Sequence, residues 1–164
     1  MLRTEWGSVA ENILGQSSPV NIYVKPTLDY ATRKLTVEVE LYYTGTVSTD
    51  KNYLTVMLLQ NEILGHQNGA VFNHEYMDLD GQYRHMNILR MVLSSGGAFG
   101  DTIKTTSKGH YEYKKYEVIL PVNIANVPLK LSDLEVVAFI AEGDNNIYTG
   151  HKATVEIPDN ISSD

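Results

Sequence analysis

The sequence predicts an all-β domain, an antiparallel two-sheet sandwich of immunoglobulin or fibronectin type preceded by a short N-terminal helix. Three observations lead there. After Pro19 the apolar residues recur with a period of two, the segments that carry this pattern are separated by runs rich in Gly, Asn, Asp and Pro, and no long stretch has helical spacing. A closed barrel is the alternative arrangement of the same strands. With 164 residues and 43% hydrophobic content, the chain is of single-domain size and can build one core. The organisation expected is a helical arm or linker at 1–18 belonging to a preceding region, a β-sandwich at 19–158 and a disordered tail at 159–164.

The opening "MLRTEWGSVAENILG" reads as a helix. Ser8 and Glu11 fit a capping box, Val9, Ile13 and Leu14 share a face, and Gly15 suits a left-handed terminus. Such a helix has too few turns to stand alone. "VNIYVKPTL" is the first strand, placed at a sheet edge because Pro26 lacks a ladder donor. It pairs through "DYATRK" with "KLTVEVELYY", where Leu35, Val37, Val39, Leu41 and Tyr43 face one way and Thr36, Glu38 and Glu40 the other. "NYLTVMLLQNEIL" at 52–64 and "VVAFIA" at 136–141 are apolar on both faces, as central strands are.

Residues 83–93 read as one continuous strand, about 36 Å long at the usual rise, although Met86, Leu89, Arg90 and Leu93 also have helical spacing. "YEYKKYEVILP" at 111–121 and "NIYTGHKATVEI" at 146–157 alternate again, the latter with Ile147, Thr149, Ala153, Val155 and Ile157 on one face. "EGDNN" at 142–146 supplies a tight connection. Antiparallel succession gathers loops 29–34, 65–82 and 122–134 at one end, and loops 46–51, 94–110 and 143–146 at the other.

A net charge of −7, with no basic cluster beyond pairs such as Lys114 and Lys115, repels phosphate backbones, so no nucleic-acid partner is expected. The lack of cysteine excludes disulfides, cysteine nucleophiles and thiolate metal sites. The first residues carry Arg3 and Glu5 and no unbroken apolar run, so they form neither a signal peptide nor a membrane span.

No catalytic residue, cofactor site or metal site is predicted. His85, between Arg84 and Arg90, is expected to be a half-buried imidazole hydrogen-bonded within the sheet, since no nucleophile and carboxylate can be assigned to it. "NHEYMDLDG" at 73–81 contains part of a calcium-loop pattern, but the count from Gly81 puts Tyr76 and Asn87 at the first and twelfth ligand positions. His66, His74 and His85 have no zinc-pair spacing. The competing reading, a metal-dependent hydrolase using His74, Glu75, Asp78 and His85, rests only on their local density. The glycine-rich run 94–110 lacks a phosphate-loop ending and reads as a flexible loop, and Ser94 and Ser95 lack a nucleophile-elbow context. Eleven tyrosines suit half-exposed strands and recognition surfaces alike. Tyr30, Phe72, Tyr76 and Tyr83 fall at one end of the expected sandwich and form a candidate contact patch for a protein or glycan partner.

An ordered set of motifs running from Trp6 to Ile157 resembles the twenty-eight-kilodalton outer-membrane lipoprotein family of Bacteroidetes: Trp6 and Pro19, "NYLTVMLLQNEILGHQNG", "YRHMNILR" leading through glycines to "FGD", and "LEVVAFI". Relatives often carry a second histidine and a tryptophan where this chain has Asn87 and Phe99. The resemblance implies a non-catalytic, surface-exposed binding or adhesion domain at the bacterial outer membrane, attached through a lipidated N-terminus outside this sequence. In many relatives a thioredoxin-like region precedes the domain. A structural spacer that pairs through an edge strand, for example the one carrying Pro26, is the remaining alternative.

Overall fold

The alternation of "KLTVEVELYY" becomes a strand with one buried and one wet face. In the computed structural model, which describes residues 3–49, 51–143 and 146–158, its five predicted inward residues Leu35, Val37, Val39, Leu41 and Tyr43 are fully buried. This strand, β2 (Lys34–Tyr43), lies between β1 (Val20–Asp29) and β8 (Tyr111–Ile119) in a three-stranded antiparallel sheet. Facing it is a second antiparallel sheet of β12 (Asn146–Thr154), β11 (Leu134–Glu142), β3 (Asn52–Gln60) and β6 (Ile88–Val92), with β7 (Asp101–Ile103) paired beside the start of β3. Two short ladders complete the fold, β4 (Ile63–Gly65) with β5 (Tyr83–His85) and β9 (Asn123–Ile124) with β10 (Val127–Pro128). The result is an all-β sandwich that does not close into a barrel.

The core lies between the sheets. Leu54, Val56 and Leu58 of β3 and Leu134, Val136 and Ile140 of β11 meet the inward residues of β2, each large aliphatic contributing about 1.5–3 kcal/mol by burial. The outward residues of these central strands, such as Met57, Leu59, Val137 and Phe139, are only half-buried, so the second sheet keeps an apolar outer face.

Pro26 does mark an edge strand, and the structure adds what covers it. Alternate N–H groups of β1 point away from β2: Val24 donates to His151 Nδ1 at 3.0 Å and Leu28 to Glu156 O at 2.8 Å. Pro26, in the same phase, offers no donor there, and its carbonyl accepts from Glu156 N at 3.0 Å. A seam between β1 and the end of the chain thus seals one side of the sandwich.

Several local expectations are corrected. The helix α1 (Trp6–Leu14) begins before the supposed capping box: Ser8 lies inside it and its Oγ donates to Glu5 O. Gly15 is right-handed (φ −80°), the last turn being closed by Gln16 N donating to Ile13 O. The continuous strand 83–93 is two strands, because Asn87 adopts φ 56° and its N–H is held by Asn61 Oδ1 at 2.8 Å. The loop 94–110 contains β7, reached through a 3-10 turn at Gly97–Phe99. In β12, Tyr148 is an extra residue opposite the Ile140 to Ala141 step, a bulge that turns Ile147 outward and lets Tyr148 pack on the core. The proposed turn residues Asp144 and Asn145 and the tail 159–164 lie outside the described residues.

Candidate contact surface

The segment between β4 and β5 is an excursion from the end of the sandwich where β3 finishes. Ala70, buried, opens a 3-10 turn at Ala70–Phe72, and a second turn at His74–Tyr76 follows. Asp78 then closes a tight loop. Its Oδ1 accepts from Asp80 N at 3.0 Å and Gln82 N at 2.7 Å, while its own N–H donates to Gln82 O at 2.8 Å. The acidic pattern read in the sequence is therefore an Asx turn with Gly81 at φ 78°. Arg84 ties the excursion to the turn before β4: Nη2 donates to Glu75 O at 2.7 Å and Nη1 stands 3.6 Å from Glu62 Oε2.

This frame presents apolar side chains to solvent. Phe72 is 86% exposed and Leu79 fully so, and Tyr76 on the same excursion and Leu64 of β4 are partly exposed. Tyr76 packs on Tyr83 with ring centroids 5.7 Å apart, and Tyr83 meets the edge of His85 at 5.1 Å. Of the four patch residues predicted, the structure brings Tyr76 and Tyr83 into contact and sets Phe72 on the same excursion. Tyr30 is exposed separately, in the β1–β2 turn, where Asp29 Oδ1 accepts from Ala31 N and Thr32 N. Leu79 was missed in the sequence, where its signal is an apolar residue enclosed by the turn-formers Asp78, Asp80 and Gly81.

The side chains of Asp78 and His85 are engaged within the fold. His85 makes a ring contact in place of the hydrogen bond expected of it, Asp78 binds backbone, and Glu75 offers Arg84 its carbonyl. Ser94 donates from Oγ to Gly97 O at 2.9 Å and accepts from Val56 N. Arg90 donates from Nη2 to Ile124 O and Val127 O, fastening β6 to the β9–β10 ladder. Asn87 Oδ1 accepts from Lys152 Nζ, which also pairs with Glu135 at 2.9 Å. Burial works to raise the Glu135 carboxyl, but Lys152 and Asn61 outweigh it and hold the group below its ordinary value. Among the described residues no three His, Asp or Glu side chains converge as metal ligands do.

A second tyrosine set, also unforeseen, lies on the outer face of the first sheet. Tyr23, Tyr42, Tyr111 and Tyr113 are all about half exposed there, on neighbouring strands. Tyr113 donates to Glu38 Oε1 at 2.6 Å, and this bond, with burial second, pushes its phenol up to about 12.

Among curated proteins no sequence matches this chain. A domain of the outer membrane lipoprotein Omp28 from Porphyromonas gingivalis shares its fold, with a TM-score of 0.56 at 13% identity over 85% of this chain and 90% of that one. HBP35 of Porphyromonas gingivalis matches with a TM-score of 0.69 at 18% identity over 91% of this chain, which spans 45% of the length of that protein. Among the described residues no helix is long and apolar enough to cross a membrane. Residues 2–157 match the family of outer membrane protein Omp28, and the chain belongs to that family of outer-membrane lipoproteins.

Proposed function

We propose that this domain is a binding or adhesion module with no chemistry of its own, and that it takes a protein partner on the excursion between β4 and β5. The observation that carries the reading is the exposure of Phe72 and Leu79 on a loop held by Asp78 and Arg84. A loop that keeps large apolar groups in water does so at a cost, and such patches mark contact surfaces. Tyr76 and Tyr83 add amphipathic rings of the kind that anchor interfaces. The immunoglobulin-like connectivity expected from the sequence and a preceding region joined through the helical arm belong to the same reading. Tyr30, on a separate turn, stands at its margin.

The test is binding of the purified chain to immobilised matrix proteins and to a glycan array, beside a Phe72→Ala, Leu79→Ala, Tyr76→Ala variant. Saturable protein binding that falls at least tenfold in the variant, with its melting transition unchanged, is expected, since central apolar anchors are each worth about 1–2 kcal/mol or more. Binding equal in both proteins, binding to glycans alone, or none at all would overturn the assignment.

A further inference from the structure

The two lateral sides of the sandwich are unlike. On one, β1 is bonded to His151 and Glu156. On the other, β8 ends its sheet. The β2–β8 ladder is bounded by Tyr43 N donating to His110 O and Leu120 N donating to Arg33 O. Even-numbered residues of β8 therefore bond to β2, and the N–H and C=O groups of Tyr111, Tyr113, Lys115, Glu117 and Ile119 point away from the sheet. No described residue gives these groups a backbone partner. Between this edge and β6 runs an open groove of about 340 Å³, lined by Met91, Val92, Leu93 and the chain of β8 from Lys115 to Val118, so the second sheet leaves the edge uncovered.

An unpaired strand of nine residues is a template for another strand, and lysines on such an edge ordinarily discourage pairing by repulsion. Here the charge pattern is complementary to itself. We propose that β8 pairs with β8 of a second copy of this chain, antiparallel about a two-fold axis at Tyr116, joining two three-stranded sheets into one. In that register Lys115 stands opposite Glu117 of the second copy and Tyr113 opposite Ile119, each pair occurring twice by symmetry. All four are outward-bonding residues, so each opposed pair exchanges both of its backbone hydrogen bonds. Ile119, 72% exposed in the single chain, gains an aromatic neighbour. A two-fold axis at Lys115 would instead oppose the two ammonium groups, so charge selects the register. The pairing uses a lateral edge and is independent of the contact surface at the sandwich end.

Light scattering of the whole chain over a concentration series tests this. The wild-type chain is expected to reach twice the monomer mass. K115E and E117K should each be monomeric, because each sets like charges opposite one another. Mixed in equal amounts they should recover the dimer, since every opposed pair then joins a glutamate to a lysine. Glu117 also binds Lys34 at 2.8 Å and Lys115 at 3.1 Å within the chain, so I119P, which removes one outward N–H and leaves both bridges and the bonds to β2 intact, serves as a variant confined to the edge; it too should be monomeric. A wild-type chain monomeric at all concentrations, dimers that persist in K115E and I119P, or a mixture that stays monomeric would overturn the proposal.

Discussion

Tyr43 carries one of the few hydroxyl groups in the core. It is fully buried, and its OH donates to Asn52 Oδ1 at 2.9 Å, while Asn52, also fully buried, donates from Nδ2 to Thr49 Oγ1 and Lys51 O. Burial first, then the negative charge of Glu112, pushes the Tyr43 phenol up to about 12. A phenol raised on folding contributes stability that is whole below its unfolded value of about 10 and is lost as pH rises through the folded value. Tyr43→Phe leaves Asn52 Oδ1 buried without its donor and should lower the free energy of denaturant unfolding by about 1–3 kcal/mol at neutral pH. The same variant should lose part of the decline in stability between pH 10 and 12, read from unfolding midpoints along an alkaline series. The alternation of β2 places Tyr43 inward without structural help. Its partner is not readable, because Asn52 begins the next strand, in the other sheet, and nothing in either segment announces the bond.

At the level of elements, legibility follows the range of the interaction that sets each one. The long strands were readable because burial of one face imposes a period of two on the residues themselves, as in β2 and β8. The break inside 83–93 was not, because the left-handed Asn87 is held by a side chain 26 positions earlier. The bulge at Tyr148 likewise depends on the register with β11 and reverses the face expected for Ile147. For the contact surface, the sequence supplied Phe72, Tyr76 and Tyr83 by residue type, but Leu79 needed the folded turn to declare its exposure. The glycine-rich run before β7 was read as flexible, whereas its glycines allow backbone to approach backbone. Gly100 has φ 77°, and a Cβ there would lie 2.7 Å from Leu54 O and 2.8 Å from Thr55 Oγ1. Gly100→Ala should therefore destabilise the domain by about 1–3 kcal/mol, more than an exposed-loop substitution does, with lost amide protection at β7 in hydrogen exchange.

Across the whole molecule the seam between β1 and the chain end decides which edge is closed. Edge-strand amides usually exchange fast, yet those of Val24 and Leu28 should be slow, because His151 and Glu156 accept from them. His151→Leu removes one acceptor and should speed exchange at Val24 far more than at Leu28, at a cost of about 1–3 kcal/mol in stability. The seam also bears on how the domain carries load. The helical arm meets the sandwich at Val20, at the start of β1, and the surface bearing Phe72 and Leu79 lies beyond the opposite end, where β3 finishes. Tension applied between the start of β1 and that surface would run along the strands. The hydrogen bonds from β1 to β2, and those of the seam, lie across that direction and would be sheared together rather than peeled one at a time. Loading in shear shares the force among many hydrogen bonds, so a pull in this direction is expected to need more force than one that peels β1 from its end.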